Sequence, residues 1–393
     1  MGFFTEPAFF IALIPVIGIA CVLGIREKPL APWGFICSLL FLGALFARTP
    51  QSLIYLLCYL AGSVALMMWI QRQFTQNAPK AVLCYRIALA LQIAPLVIYK
   101  IGIVFMPGFL GFIGISYITF KAVQVLIEIR DGLIKDFKVI DYLYFLVFFP
   151  TFTSGPILRS RRFSADIAQT LAKHEYLTML YRGIGWLILG ALYKFIGAAC
   201  ASWLMWFAPS AIGTSSTLTF VLTQIVYAFA YGLYMFFDFA GYSHMAMGVG
   251  YALGIDVPRN FKAPFAALDI KDFWNRWHIS LSTWLRDFVF MRFSGWAMRN
   301  KIFKSRLTVA NLGFILNMTL MGVWHGISLA NITYGIYHGL LLAACETYQK
   351  KSKFYKAHRK QTWFKLMTWA ITMIAVFFGL AFFSGQVFNP IYV

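Results

Sequence analysis

Apolar residues run along this chain in long blocks separated by short polar breaks. The blocks lie near residues 8–25, 33–47, 52–70, 81–105, 109–127, 139–153, 177–206, 216–237, 307–325, 328–346 and 365–384. A helix needs about 20 apolar residues to cross a bilayer core, so the pattern predicts about eleven membrane helices, the shorter ones tilted or re-entrant. The expected fold class is all-α, a polytopic membrane protein, with residues 1–393 forming one continuous domain.

Three segments interrupt the pattern. Pro150-Thr-Phe-Thr-Ser-Gly-Pro156 reads as a turn inside apolar sequence and is followed by Arg159, Arg161 and Arg162. Phe237-Asp-Phe-Ala-Gly-Tyr-Ser-His244 puts Asp238 at the expected end of a long apolar run. The third is Asp269–Phe288, the most polar stretch, preceded by Pro258-Arg-Asn-Phe-Lys-Ala-Pro264. Within it Lys271, Asn275, His278 and Ser282 recur at helical spacing and predict one polar helix face. Trp274, Trp277, Leu281 and Trp284 supply apolar surface around the same turns. Irregular backbone at membrane depth survives only where protein or a water-filled cavity satisfies it, so three interruptions point to an internal chamber.

Composition agrees. Hydrophobic residues make up 60% of the 393 and charged residues only 12%, about half the share typical of soluble domains. The formal net charge is +20. In a soluble protein that would raise nucleic acid as a partner. Here the cations sit mainly in short loops between apolar runs, where the positive-inside rule puts them, so the expected counterparts are membrane lipids and an acidic cytosolic protein, with no nucleic acid. Arg26 and Lys28 follow the first run, which predicts an outside N-terminus, and the weakly charged N-terminal segment reads as a retained span rather than a cleaved signal. The basic loop Lys350–Lys360 and Arg292, Arg299, Lys301, Lys304 and Arg306 are then expected on the cytoplasmic side. The six cysteines are scattered with no C-x-x-C pair and read as free thiols.

Candidate chemistry centres on two histidines. His325 interrupts the apolar run Met321-Gly-Val-Trp-His-Gly326, beside Trp324 and between two glycines. An apolar setting favours the neutral imidazole, which can accept a proton near neutral pH. The alternative is a core histidine bonded to a neighbouring helix. His278, 47 residues upstream, could orient or polarise the same reacting group, or simply be solvated. Asp238 could hold a histidine tautomer or form a structural ion pair; Arg276, Arg286 and Asp287 suit holding the polar segment in place. His174, His244, His338 and His358 have no comparable context. Two histidines make a poor metal site, so none is expected. There is no G-x-S-x-G elbow, P-loop or dinucleotide fingerprint.

The segment Phe273-Trp-Asn-Arg-Trp-His278-Ile-Ser-Leu-Ser, followed by Met-Gly-Val-Trp-His325-Gly, resembles the membrane-bound O-acyltransferase (MBOAT) family. Phe149-Pro-Thr-Phe-Thr-Ser-Gly-Pro156 and Phe237-Asp-Phe-Ala-Gly-Tyr-Ser243 extend the resemblance over residues 140–345. Asp269-Ile-Lys-Asp and the Phe-Val-Phe-Met-Arg-Phe293 stretch are closer to the family's D-alanyl-transfer branch than to its alginate-type polysaccharide O-acetylases.

The resemblance implies a ring of helices around a thinned centre with a central tunnel. It implies transfer of D-alanine from a phosphopantetheine thioester on a cytosolic carrier protein toward lipoteichoic acid, with other proteins of the same system outside. No cofactor is expected to be bound permanently, because phosphopantetheine arrives on the carrier. An arm of about 20 Å cannot span a hydrocarbon core of about 30 Å, so the barrier must be thin. His325 and His278 carry the family's histidine positions, with Asn275, Ser282, Asp238 and Trp324 as supporting residues and Asn275 or backbone N–H groups as oxyanion donors. Arg292, Arg299, Lys301, Lys304 and Arg306 are the expected carrier-docking cations, or serve topology alone. The competing readings are polysaccharide O-acetylation and a transporter with an intramembrane His/Asp relay.

Overall fold

The computed structural model describes residues 4, 6–105, 109–213 and 215–391, and these are almost entirely helical. They form two compact units, Met1–Gly190 with Tyr242–Pro258, and Ala191–Gly241 with Arg259–Val393.

The first unit contains α1 (Pro7–Ile25), α2 (Ala31–Phe46), α3 (Pro50–Thr75), α4 (Ala81–Phe105), α5 (Ile115–Arg130), α6 (Val139–Val147), α7 (Ser160–Ala168) and nearly all of α8 (Lys173–Ala191). The second begins with a π-turn at Leu192–Gly197, then α9 (Ala198–Ile212) and most of α10 (Thr217–Ala252). It continues with α11 (Ile270–Arg276), α12 (Ile279–Leu285), α13 (Met291–Arg299), α14 (Arg306–His325), α15 (Leu329–Lys351), α16 (Lys353–His358) and α17 (Thr362–Phe383). Proline in the first turn starts α1, α2 and α3, where its missing N–H costs no helical bond. Among the described residues, seven helical stretches are long and apolar enough to cross a membrane. Their exposed positions are themselves apolar, as with Ile11, Ile14 and Val22 on α1. Such faces suit a lipid environment and would be a liability in water.

Each of the eleven apolar runs coincides with helix, with three departures. The run at 109–127 becomes helical only at Ile115. The run at 139–153 stops at Val147 and passes into a 3₁₀ turn at Phe149–Thr151. Here the buried Lys121 ammonium donates to the carbonyls of Phe145 (3.0 Å) and Leu146 (3.4 Å) and to the Thr151 hydroxyl (3.1 Å). It thereby satisfies carbonyls that the end of α6 leaves open. Tyr242 completes the turn, with its hydroxyl 2.9 Å from Thr153 Oγ1, donating to Pro150 O and accepting from Ser154 N. Third, the expected interruption at Asp238 is absent. α10 continues through it to Ala252, with the Asp238 carboxylate paired to Lys194.

In the second unit, α14 and α15 are joined by a three-residue link, Gly326–Ser328, and pack backbone to backbone. A Cβ on Gly322 would collide with the Asn331 carbonyl, one on Gly335 with the Met318 carbonyl, and one on Gly339 would lie 2.8 Å from the Ile315 Cα. Small residues let membrane helices approach this closely. The contact fixes where α14 ends, and therefore where His325 sits. Gly335→Val should cost about 1–3 kcal/mol by overpacking and lower the melting temperature of detergent-purified protein. Gly18→Ala, in open space, should be neutral or slightly stabilising in the same assay.

Candidate functional site

The polar stretch folds as two short helices rather than one. Asp269 caps α11, its carboxylate accepting from the N–H groups of Lys271 (2.9 Å) and Asp272 (2.8 Å). Its other oxygen accepts from Gln349 on α15 at 2.9 Å. Lys271 donates to Glu346 (2.6 Å) and Gln349 (2.9 Å), so α11 is tied to the polar end of α15. Burial works against the Lys271 charge, but the bond and charge of Glu346 outweigh it and raise its pKa above the usual lysine value.

α11 ends at Arg276, Trp277 is extended, and His278 adopts the left-handed conformation at φ 45°, ψ 49°. A non-glycine residue there is uncommon and costs about 1–3 kcal/mol. Asn260 holds the break. Its carbonyl accepts from Ile279 N (2.9 Å), and its side-chain oxygen accepts from Ser280 N (3.2 Å) and Ser280 Oγ (2.6 Å). Lys262 N donates to Arg276 O at 3.0 Å.

The break removes the single polar face expected from spacing. His278 is buried at 3% exposure, whereas Asn275 is exposed and Ser282 returns its hydroxyl to Trp277 O at 3.2 Å. Asn275 is outside the cavity described below, which removes the geometric basis for its role as oxyanion donor.

His325 is the last residue of α14, half-buried, with its ring 4.7 Å from Trp324 and 5.0 Å from Phe383. His278 and His325 line one cavity of about 40 Å³, roughly three times the space that a single water needs. Met235 and Phe239 of α10, Trp274, Trp277, Met321, Tyr334 of α15, and Leu380 and Phe383 of α17 complete the wall. The two imidazoles are thus set in a mostly aromatic and aliphatic pocket. His278 Nε2 is buried without a hydrogen-bond partner among the described residues, and Phe239 packs edge-on against its ring at 4.7 Å. One imidazole to accept a proton and a second to orient a reacting group is an arrangement suited to activating a hydroxyl.

The other expected residues fall elsewhere. Asp238 is ion-paired with Lys194, and Trp324 packs on His325 without lining the cavity. Arg276 pairs with Asp272 at 2.7 Å within α11, and Arg286 pairs with its neighbour Asp287 at 2.8 Å. Arg299, Lys301, Lys304 and Arg306 are exposed where α13 turns into α14, while Arg292 is half-buried over the Phe288 ring at 5.9 Å. His338, given no role from sequence, is buried behind the cavity, where its Nδ1 accepts from Trp274 Nε1 at 3.4 Å. Its position one turn after Tyr334 on an apolar helix was the available signal. No metal-like cluster of three His, Cys, Asp or Glu side chains occurs among the described residues.

Because Asn260 satisfies the backbone around His278, Asn260→Ala should destabilise the protein by about 1–3 kcal/mol, the cost of orphaned buried donors. Thermal unfolding should show this, and Asn260→Asp, which keeps an acceptor, should recover part of the loss.

The chain is 38% identical over 391 residues to the teichoic acid D-alanyltransferase of Bacillus subtilis (strain 168), covering 97% of both proteins. It is 37% identical over 399 residues to the teichoic acid D-alanyltransferase of Streptococcus thermophilus, covering 97% of this chain and 94% of the relative. The probable alginate O-acetylase AlgI of Pseudomonas syringae pv. tomato is 32% identical over 276 residues, 70% of this chain but 49% of that protein. The family model for membrane-bound O-acyltransferases matches residues 51–393, a span holding both histidines and every residue of the cavity wall, and the chain belongs to that family.

Proposed function

We propose that this membrane protein is an O-acyltransferase of teichoic acid D-alanylation. It takes D-alanine from a phosphopantetheine thioester on a cytosolic carrier protein and passes it across the membrane toward lipoteichoic acid. The observation that carries this reading is the near full-length match to two teichoic acid D-alanyltransferases. The alginate O-acetylase match covers only part of either protein, which makes polysaccharide O-acetylation the weaker reading.

The thioester is already activated, so catalysis needs a base, positioning and charge stabilisation. In the proposed step an acceptor hydroxyl gives its proton to His325 as its oxygen attacks the thioester carbonyl. The tetrahedral intermediate collapses with cleavage of the C–S bond, an ester forms, and the departing thiolate takes the proton from His325. His278 hydrogen-bonds a reacting oxygen through a ring nitrogen. A dry, mostly apolar wall strengthens both interactions and limits hydrolysis of the thioester.

Purified protein in liposomes, given labelled D-alanyl carrier inside and acceptor outside, tests the reading. His325→Ala should reduce transfer by about 10²–10⁴-fold while the protein stays monodisperse. His278→Ala should reduce it less. The double variant should fall well short of the product of the two losses, since groups acting on one reaction centre are not additive. Wild-type transfer by folded His325→Ala would refute the assignment.

Carrier docking is assigned to the exposed cations Arg299, Lys301, Lys304 and Arg306, with Arg292 beside them in sequence. The same turn exposes Trp296, Met298, Ile302 and Phe303, so apolar surface is interleaved with positive charge. Reversing three of the exposed cations should weaken carrier binding at low salt and flatten its salt dependence, with membrane insertion intact. Unchanged affinity in correctly inserted variants would leave these residues with topology alone.

A further inference from the structure

An aminoacyl group carries a charge that the cavity must accommodate. The free amine of a D-alanyl thioester resembles an α-amino group, with a pKa near 8, and enters mostly as ammonium at neutral pH. Yet no Asp or Glu among the described residues lines the cavity. The acid adjacent to Phe239 in sequence, Asp238, is committed to Lys194. The two imidazoles are required for the reaction and cannot neutralise a cation. What remains is aromatic surface. Phe239, Trp274, Tyr334 and Phe383 all line the cavity, and aromatic rings bind desolvated ammonium groups through their electron-rich faces.

The rings are held from behind. Trp274 turns its indole N–H to His338 Nδ1, which lies outside the wall, so that polar edge is occupied. The His338 ring is 5.2 Å from Trp274 and 4.7 Å from Tyr334, and Tyr334 is 5.1 Å from Phe383. On its far side His338 abuts Gly379, where a Cβ would collide with Nε2. His338 is therefore wedged between α17 and the rings.

We propose that Phe239, Trp274, Tyr334 and Phe383 form an aromatic box for the ammonium of a small aminoacyl group, with His338 as the positioning residue for Trp274. The box selects the amine-bearing acyl group over an uncharged group of the same size. This inference rests on the aminoacyl transfer proposed above.

The test loads the carrier with D-alanyl, D-lactyl or propionyl thioester and measures kcat/KM for each with full-length protein in liposomes. Wild type should prefer D-alanyl over the two uncharged groups by about tenfold or more. Trp274→Leu should bring that ratio close to one by lowering D-alanyl transfer more than propionyl transfer, whereas Trp274→Phe should keep most of the preference. His338→Leu should move the ratio in the same direction, and His338→Gln, which keeps an acceptor, should restore it. If Trp274→Leu does not fold, Phe383→Leu carries the same expectation. Equal use of all three thioesters by wild type, or parallel loss of all three in a folded Trp274→Leu or Phe383→Leu variant, overturns the box and leaves the transfer reading intact. Absence of D-alanyl transfer by wild type, with either uncharged group transferred, overturns both.

Discussion

A backbone amide in hydrocarbon has no water to turn to, and the structure is arranged around that cost. Regular helix pays it internally. The irregular segments after α6 and between α11 and α12 need outside partners, and each unit supplies them from buried side chains. In the first, Lys121 and Tyr242 bond the turn that ends α6. In the second, Asn260 bonds the break between α11 and α12. Without such partners each open group would cost several kcal/mol, and the chain would recover regular helix instead.

The break at Trp277–His278 sets an imidazole in the cavity wall. Had α11 and α12 been continuous, His278 would share a face with Asn275, which is exposed. The left-handed residue instead puts His278 into a buried wall while α11 remains tied to α15 through Lys271, Glu346 and Gln349. The glycine-packed hairpin of α14 and α15 brings in the second imidazole at its turn. The cavity thus brings together a residue in the left-handed conformation and one at the end of a closely packed hairpin.

The wall also limits what the cavity can hold. Bulky rings leave only a small volume beside the imidazoles. Its low polarity makes every remaining charge interaction count for more than it would in water. Asp238, the acidic residue in the α10 motif, is withdrawn from the site by Lys194 from the neighbouring π-turn.

The sequence by itself determined the helical membrane class, because runs of about 20 apolar residues have few other stable forms in a bilayer. It also marked both histidines, since an ionisable group among apolar residues stands out in one dimension. The turn at 150–156 was legible from its prolines and glycine. Tertiary structure decided the rest. Spacing placed Lys271, Asn275, His278 and Ser282 on one face, but Asn260, 20 residues before Ser280, stabilises a break that local periodicity does not encode. Likewise Asp238 marks the end of an apolar run in the sequence, but its ion-pair partner, Lys194, lies 44 residues away. Tyr334 joins the cavity wall, and His338 backs it, only through α15's packing against α11 and α14. A residue's chemical type is written in the chain, but whether it is buried, bonded or exposed depends on partners that only the fold brings within reach.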